Sequence, residues 1–203
     1  MKRLAWFGKQ GAVLAAVAMT LALYACGINQ VPTQDEQVKA AWSQVQNEYQ
    51  RRADLVPNLV NTVKGYAQQE RTVLREVIEA RAKATSTTVN LPPDVTSNPE
   101  AFQKFEQSQN QLTQALGRLM VVSERYPDLK SNQNFLALQS QLEGTENRIT
   151  VARKDYIDAV QTYNTTLRTI PQRWIAGIFY PDAKVKQTFS ANEPAQTAPR
   201  VSF

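Results

Sequence analysis

The residues best suited to bind something are the paired arginines of the run Arg51-Arg52-Ala53-Asp54, followed closely by Pro57 and Asn58. A guanidinium presents a planar fork of donors that grips a carboxylate or phosphate at two points. Most other chemistry is closed to this chain. It has no histidine, which excludes imidazole acid–base catalysis, a Ser-His-Asp triad and His-ligated metal. Its one cysteine, Cys26, excludes an internal disulfide and a thiolate metal cluster. Adjacent carboxylates such as Asp35-Glu36 have no His or Cys partner. No phosphate loop or nucleophile elbow occurs. No catalytic residue, metal ligand or cofactor is therefore assigned, and the chain is not expected to be an enzyme.

The elements that must position these residues read as long helices. Glycine is scarce, and 42% of the residues are hydrophobic, enough for a core. From Val38, core positions recur in alternating steps of four and three: Trp42, Val45, Tyr49, Arg52, Val56, Leu59, Val63, Tyr66, Glu70, Val73, Val77, Ala80, Ala84. This heptad seam predicts one coiled-coil-like helix roughly 75 Å long, with Thr33 or Asp35 capping its start. A loop containing Pro92-Pro93 follows. Asn98-Pro99-Glu100 then opens a second helix with the seam Phe102, Phe105, Gln109, Leu112, Leu116, Leu119. After Pro127 comes a third seam, Phe135, Leu138, Leu142, Thr145, Ile149, Ala152, Tyr156, Ala159, Tyr163, Leu167, stopping at Pro171. The expected fold is all-α: an elongated antiparallel bundle of three long helices over residues 35–180. A short apolar C-terminal helix, Trp174 to Phe179, closes one end. Residues 181–203 lack periodicity and read as a disordered tail.

Several residues break the helical pattern. Arg52 and Glu70 are a polar pair within the seam, serving either as a register device or as an internal ligand site. Arg52 needs a carboxylate from a facing helix, with Glu143 and Glu146 at about the right depth. Pro57 lacks an N–H for the carbonyl of Ala53, so a kink is expected there, with a hinge or a freed carbonyl as the functional alternative. Arg51, Asp54, Asn58, Asn61 and Gly65 fall on the side opposite the seam. They form either a wet polar stripe or an interaction strip.

Residues 1–25 read as a signal segment, with Lys2, Arg3 and Lys9 before an apolar run from Gly11 to Ala25. Leu23-Tyr24-Ala25-Cys26 resembles a lipoprotein processing site, making Cys26 the lipidation residue. An uncleaved transmembrane helix and a secreted chain are the alternatives. Residues 26–34 then form a membrane-proximal linker, and the bundle faces outside the cytoplasm. Removing the three N-terminal cations leaves 20 basic against 18 acidic residues, a net of +2. No nucleic-acid partner is implied by so even a balance.

The run Arg51 to Ala67 resembles the signature of the LemA family, bacterial membrane-anchored helical proteins. Asp35-Glu36, Val38, Ala41-Trp42-Ser43, Tyr49-Gln50, Glu70, Glu79-Ala80-Arg81, Tyr156, Tyr163-Asn164 and Ile170-Pro171 extend the resemblance. It implies a membrane-attached helical bundle of the cell envelope and no particular reaction. Family members often occur beside membrane proteases or other envelope proteins. The expected function is thus a non-enzymatic adaptor or scaffold with an envelope protein as partner. The alternatives are a ligand-sensing bundle with a polar internal site, or a spacer that self-assembles as a homo-oligomer.

Overall fold

The three seams reappear as largely buried stripes in the computed structural model, which describes residues 27–190, with Tyr66 of the first seam 43% exposed. The expected signal segment, Cys26 and residues 191–203 lie outside the described residues. Among those described, all regular structure is helical: α1 (Gln30–Tyr66), α2 (Arg71–Val89), a 3-10 turn (Val95–Ser97), α3 (Pro99–Ser123), α4 (Pro127–Lys130), α5 (Gln133–Arg168) and α6 (Gln172–Phe179). None of these helices is long and apolar enough to cross a membrane.

The first long helix is two helices. The seam runs buried from Val38 to Val63, and the chain then turns over Ala67–Glu70 before α2 begins. The turn is closed by Ala67 N–H donating to Val63 O (2.8 Å) and Glu70 N–H donating to Ala67 O (3.1 Å). The reason is tertiary. At about 1.5 Å per residue, α1 and α5 are each about 55 Å long and run alongside one another. A continuous first helix would overhang α5 and leave Leu74, Val77 and Ala84 without cover. Folded back, those three are buried, and the expected three long helices become four.

Side-chain contacts fix the directions. Arg81 on α2 reaches Ala53 on α1, so these two run antiparallel. Trp42 meets Phe102 while Arg52 meets Gln109, so α3 runs parallel to α1. Gln172 meets Gln30, Arg148 meets Glu48 and Asn132 meets Tyr66, so α5 returns antiparallel to α1. Helix starts follow the local signals. Asn98 accepts from Ala101 N–H (3.2 Å) ahead of Pro99, and Asn132 accepts from Phe135 N–H (3.0 Å).

Both ends of the bundle differ from expectation. Thr33 and Asp35 lie inside α1 and do not cap it. Thr33 Oγ1 donates to Asn29 O (2.8 Å), and Asp35 pairs with Lys39 and Lys186 (both 2.9 Å). The expected linker is helical from Gln30, with Val31 and Gln34 buried. Helix α6 does not cap the end as an apolar plug. Ala176 is buried, but Trp174 is 62% exposed, Ile178 74% and Phe179 56%.

The aperiodic stretch 181–190, expected to be disordered, lies against the bundle as an extended strap. Asn164 grips Lys186 through both backbone groups: its amide donates to Lys186 O (2.9 Å) and its Oδ1 accepts from Lys186 N–H (2.8 Å). Tyr156 O–H donates to Gln187 O (2.8 Å), and Gln187 N–H donates to Thr96 O (2.7 Å). Phe189 is buried among Trp42, Phe102 and Tyr156, with ring centroids 5.0–6.3 Å apart. Burying such a ring contributes about 1.5–3 kcal/mol, enough to order a short segment that has no periodicity of its own.

Candidate functional site

The core is two apolar clusters. One runs from Val31 to Tyr49 on α1, with Phe102, Phe105, Ile149 and Tyr156. The other starts at Val56, with Leu112, Leu116, Phe135 and Leu142. Between them lies a polar layer built from one seam residue each of α1, α3 and α5: Arg52 (1% exposed), Gln109 and Thr145. Arg52 Nη2 donates to Gln109 Oε1 (2.8 Å) and Gln109 O (3.1 Å). Arg52 Nη1 donates to Thr113 Oγ1 (2.8 Å) and Glu146 Oε1 (3.1 Å). Its guanidinium lies 4.9 Å from the Tyr49 ring centroid. Gln109 passes the network to α2 by donating to Thr88 Oγ1 (3.2 Å). One helical turn toward the N-terminus of α1, Glu48 accepts from Arg148 (3.1 Å), which also donates to Thr145 Oγ1 (2.8 Å).

A buried guanidinium loses its hydration, so it is tolerated where its donors are satisfied. Four of its donor contacts are filled here, and Arg52 Nε is buried without a partner. Of the two carboxylates at a suitable depth, Glu146 supplies the pair and Glu143 instead accepts from Gln139 (3.0 Å). Glu70 is not part of this layer. It accepts from Arg125 (3.0 Å) and Tyr126 O–H (3.3 Å), tying the turn after α1 to the end of α3.

Helix α1 continues through Pro57. Pro57 has no N–H for the carbonyl of Ala53, and Arg81 Nε takes that place, donating to Ala53 O at 2.8 Å. The freed carbonyl therefore has its partner within the chain. Outward from this braced segment, Arg51, Asp54, Asn58, Asn61 and Gly65 are all exposed and spaced by three and four, on one face of α1. Asp54 accepts from Gln50 (2.8 Å) along the helix. Nothing lies within 4 Å of where a Cβ on Gly65 would be, so another backbone has room to approach. The strip and the polar layer are thus two sides of one stretch of helix.

A sequence model of the LemA family matches residues 41–203, which holds the strip, the polar layer and the Arg81 brace. The chain belongs to the LemA family. Among curated relatives, it is similar to the magnetosome proteins MamQ 1 and MamQ 2 of Paramagnetospirillum magneticum strain AMB-1. Each is 27% identical over 182 residues, covering 82% of this chain and 65% of the relative. The chain thus spans a little under two thirds of the length of those relatives.

Several side chains that matter in this LemA-family bundle are not singled out by sequence. Arg81 and Asn164 belong to the residues that carry the resemblance, but nothing local marks them as backbone partners. Lys186 and Phe189 sit in a stretch without periodicity. Lys186 pairs with Asp35, and Arg153 lies 4.3 Å from the Phe189 ring centroid and 3.7 Å from Glu106. Burial raises the Asp35 carboxyl, but hydrogen bonds from Lys186 and Lys39 outweigh it and hold the group below its ordinary value. Burial dominates at Glu106 and pushes it up, against Arg153 and the Ser190 N–H. A cleft of about 790 Å3 lies between the start of α1, the 91–97 loop and the strap, lined by Asp35, Lys39, Trp42, Asp94 and Tyr163 among others. Arg52 does not line it. No grouping of carboxylates among the described residues is arranged to hold a metal ion.

Proposed function

We propose that this chain is a membrane-anchored, non-enzymatic adaptor of the cell envelope whose exposed strip on α1 recruits another protein. In this reading the segment through Cys26 holds it to a bilayer, by a lipid on that cysteine or by a spanning helix. The observation that carries the reading is the pairing of strip and brace. Arg51, Asp54, Asn58, Asn61 and Gly65 face solvent, while Arg52 and the Arg81–Ala53 bond fix the same helix from behind. Asp and Asn are poor helix formers, and a solvated face is better filled by Ala, Glu or Lys. A rigid element bearing polar groups recognises a partner without the entropy cost of ordering itself. The alternative of an internal ligand site at Arg52 is weaker, since its Nη donors are taken up by Gln109, Thr113 and Glu146 and it lines no part of the cleft.

The test is photo-crosslinking in cells from a probe at Asn61, read by mass spectrometry. A single discrete envelope protein is expected. Crosslinks only to further copies of the chain favour a self-assembling spacer, and none at all removes the strip as a contact. Asn61→Lys should abolish the crosslink partner's co-purification while changing stability by no more than about 0.5 kcal/mol, as surface changes do. Loss of helix content by circular dichroism in that variant contradicts a surface role.

A further inference from the structure

Helix α6 leaves a large apolar face uncovered, and its place in the fold says what covers it. Trp174, Ile178 and Phe179 are more than half exposed, as is Ile170 just before the helix. Contiguous exposure on this scale marks a contact surface, whereas single exposed residues such as Val121 do not. The helix packs against the first described residues of the chain. Gln172 Nε2 donates to Gln30 Oε1 (3.0 Å), and a Cβ on Gly27 would lie 3.6 Å from Ile175 Cδ1. The apolar run Gly11 to Ala25 ends two residues earlier, so it leads directly to this patch. The charges around it are mainly cationic. Arg168, Arg173 and Lys184 are exposed, and Asp182 is the one carboxylate from Ala159 to Lys184. An aromatic and aliphatic face with a cationic rim suits the boundary between acyl chains and anionic headgroups.

We infer that α6 is a second membrane contact, lying in the surface of the bilayer beside the N-terminal anchor. This rests on the reading that the N-terminal segment attaches the chain to a membrane. One attachment point leaves a bundle free to tilt, and two beside each other restrict it. The strip from Arg51 to Gly65 then sits about 32–53 Å along α1 from its Gln30 end, at a set distance from the surface.

The test uses the full chain as Trp6→Phe, leaving Trp42 in the core and Trp174 on α6. It is reconstituted into vesicles of phosphatidylcholine and phosphatidylglycerol, with or without bromine on the acyl chains. Flotation of the vesicles reports the anchor, and Trp174 emission reports α6. More than half of the Trp174 emission should be quenched by brominated lipid, and the quenching should vanish in Trp6→Phe/Trp174→Phe. Ile178→Asp, an exposed change, should leave flotation and helix content intact while abolishing the quenching. A chain that floats with Trp174 unquenched overturns the inference and leaves the anchor standing. If Trp174 is then also shielded from aqueous acrylamide, a protein surface covers the patch instead of lipid. A chain that fails to float overturns the anchor reading and the inference with it.

Discussion

Arg52 gives its Nη1 and Nη2 donors to two other helices, so its removal leaves Gln109 and Thr113 facing an unfilled space between the apolar clusters. Leaving those polar groups unpaired and the space unfilled costs about 3–5 kcal/mol, while Glu146, being 40% exposed, keeps its hydration. Urea denaturation of Arg52→Ala should show a loss of that order with an unchanged slope; a loss below about 1 kcal/mol would mean the layer does not organise the core. Arg52→Lys keeps the charge but not the planar fork, and should lie between the two at about 1–3 kcal/mol. The sequence marks Arg52, Gln109 and Thr145 as polar positions in three separate seams. It does not say that they meet, because depth along a bundle depends on where each helix starts and turns.

At the level of the helix, Pro57 and Arg81 form one device. Proline in a helix interior costs about 3 kcal/mol relative to alanine, partly through the bond it cannot make. Arg81 recovers part of that by serving the Ala53 carbonyl. Pro57→Ala should therefore stabilise the bundle, because the new N–H can bond Ala53 O. Arg81→Met should cost about 1–3 kcal/mol in the native chain and clearly less in the Pro57→Ala background, in a double-mutant cycle. Equal costs in both backgrounds would show that Arg81 acts elsewhere. The break at Ala67–Glu70 belongs to the same scale. The heptads run on through it, with Gly65 the nearest weak helix former, so periodicity alone predicts one helix where packing against α3 and α5 makes two.

Across the whole molecule, the strap joins residues far apart in sequence: Lys186 to Asp35, Gln187 to Thr96, Phe189 to Trp42. The Asp35 carboxyl is held below its ordinary value, so its contribution is fully present above that value. It is lost as pH falls through the lowered one. Glu106 is raised, so the burden of burying its charge is relieved as pH falls through that raised value, above the range where Asp35 weakens the strap. Hydrogen-exchange protection of the Lys186 and Gln187 amides should fall as pH drops below about 4, the ordinary aspartate value. Asp35→Asn should flatten that dependence. An unchanged profile in Asp35→Asn would assign the pH response to another group.

The sequence by itself determined the helical class, the positions of the three seams, the Asn98 start, the carboxylate partner of Arg52 to within two candidates, and the outward direction of the strip. Each follows from interactions within a few residues or from the 3.6-residue period, which a single chain displays directly. Tertiary structure alone decided the fold-back into α2, the convergence of three polar seam residues into one layer, the Arg81 partner for the Ala53 carbonyl, the ordered strap, and the exposed face of α6. These depend on the relative lengths and offsets of helices, and on hydrogen bonds between residues tens of positions apart. Local propensity carries no record of such distances.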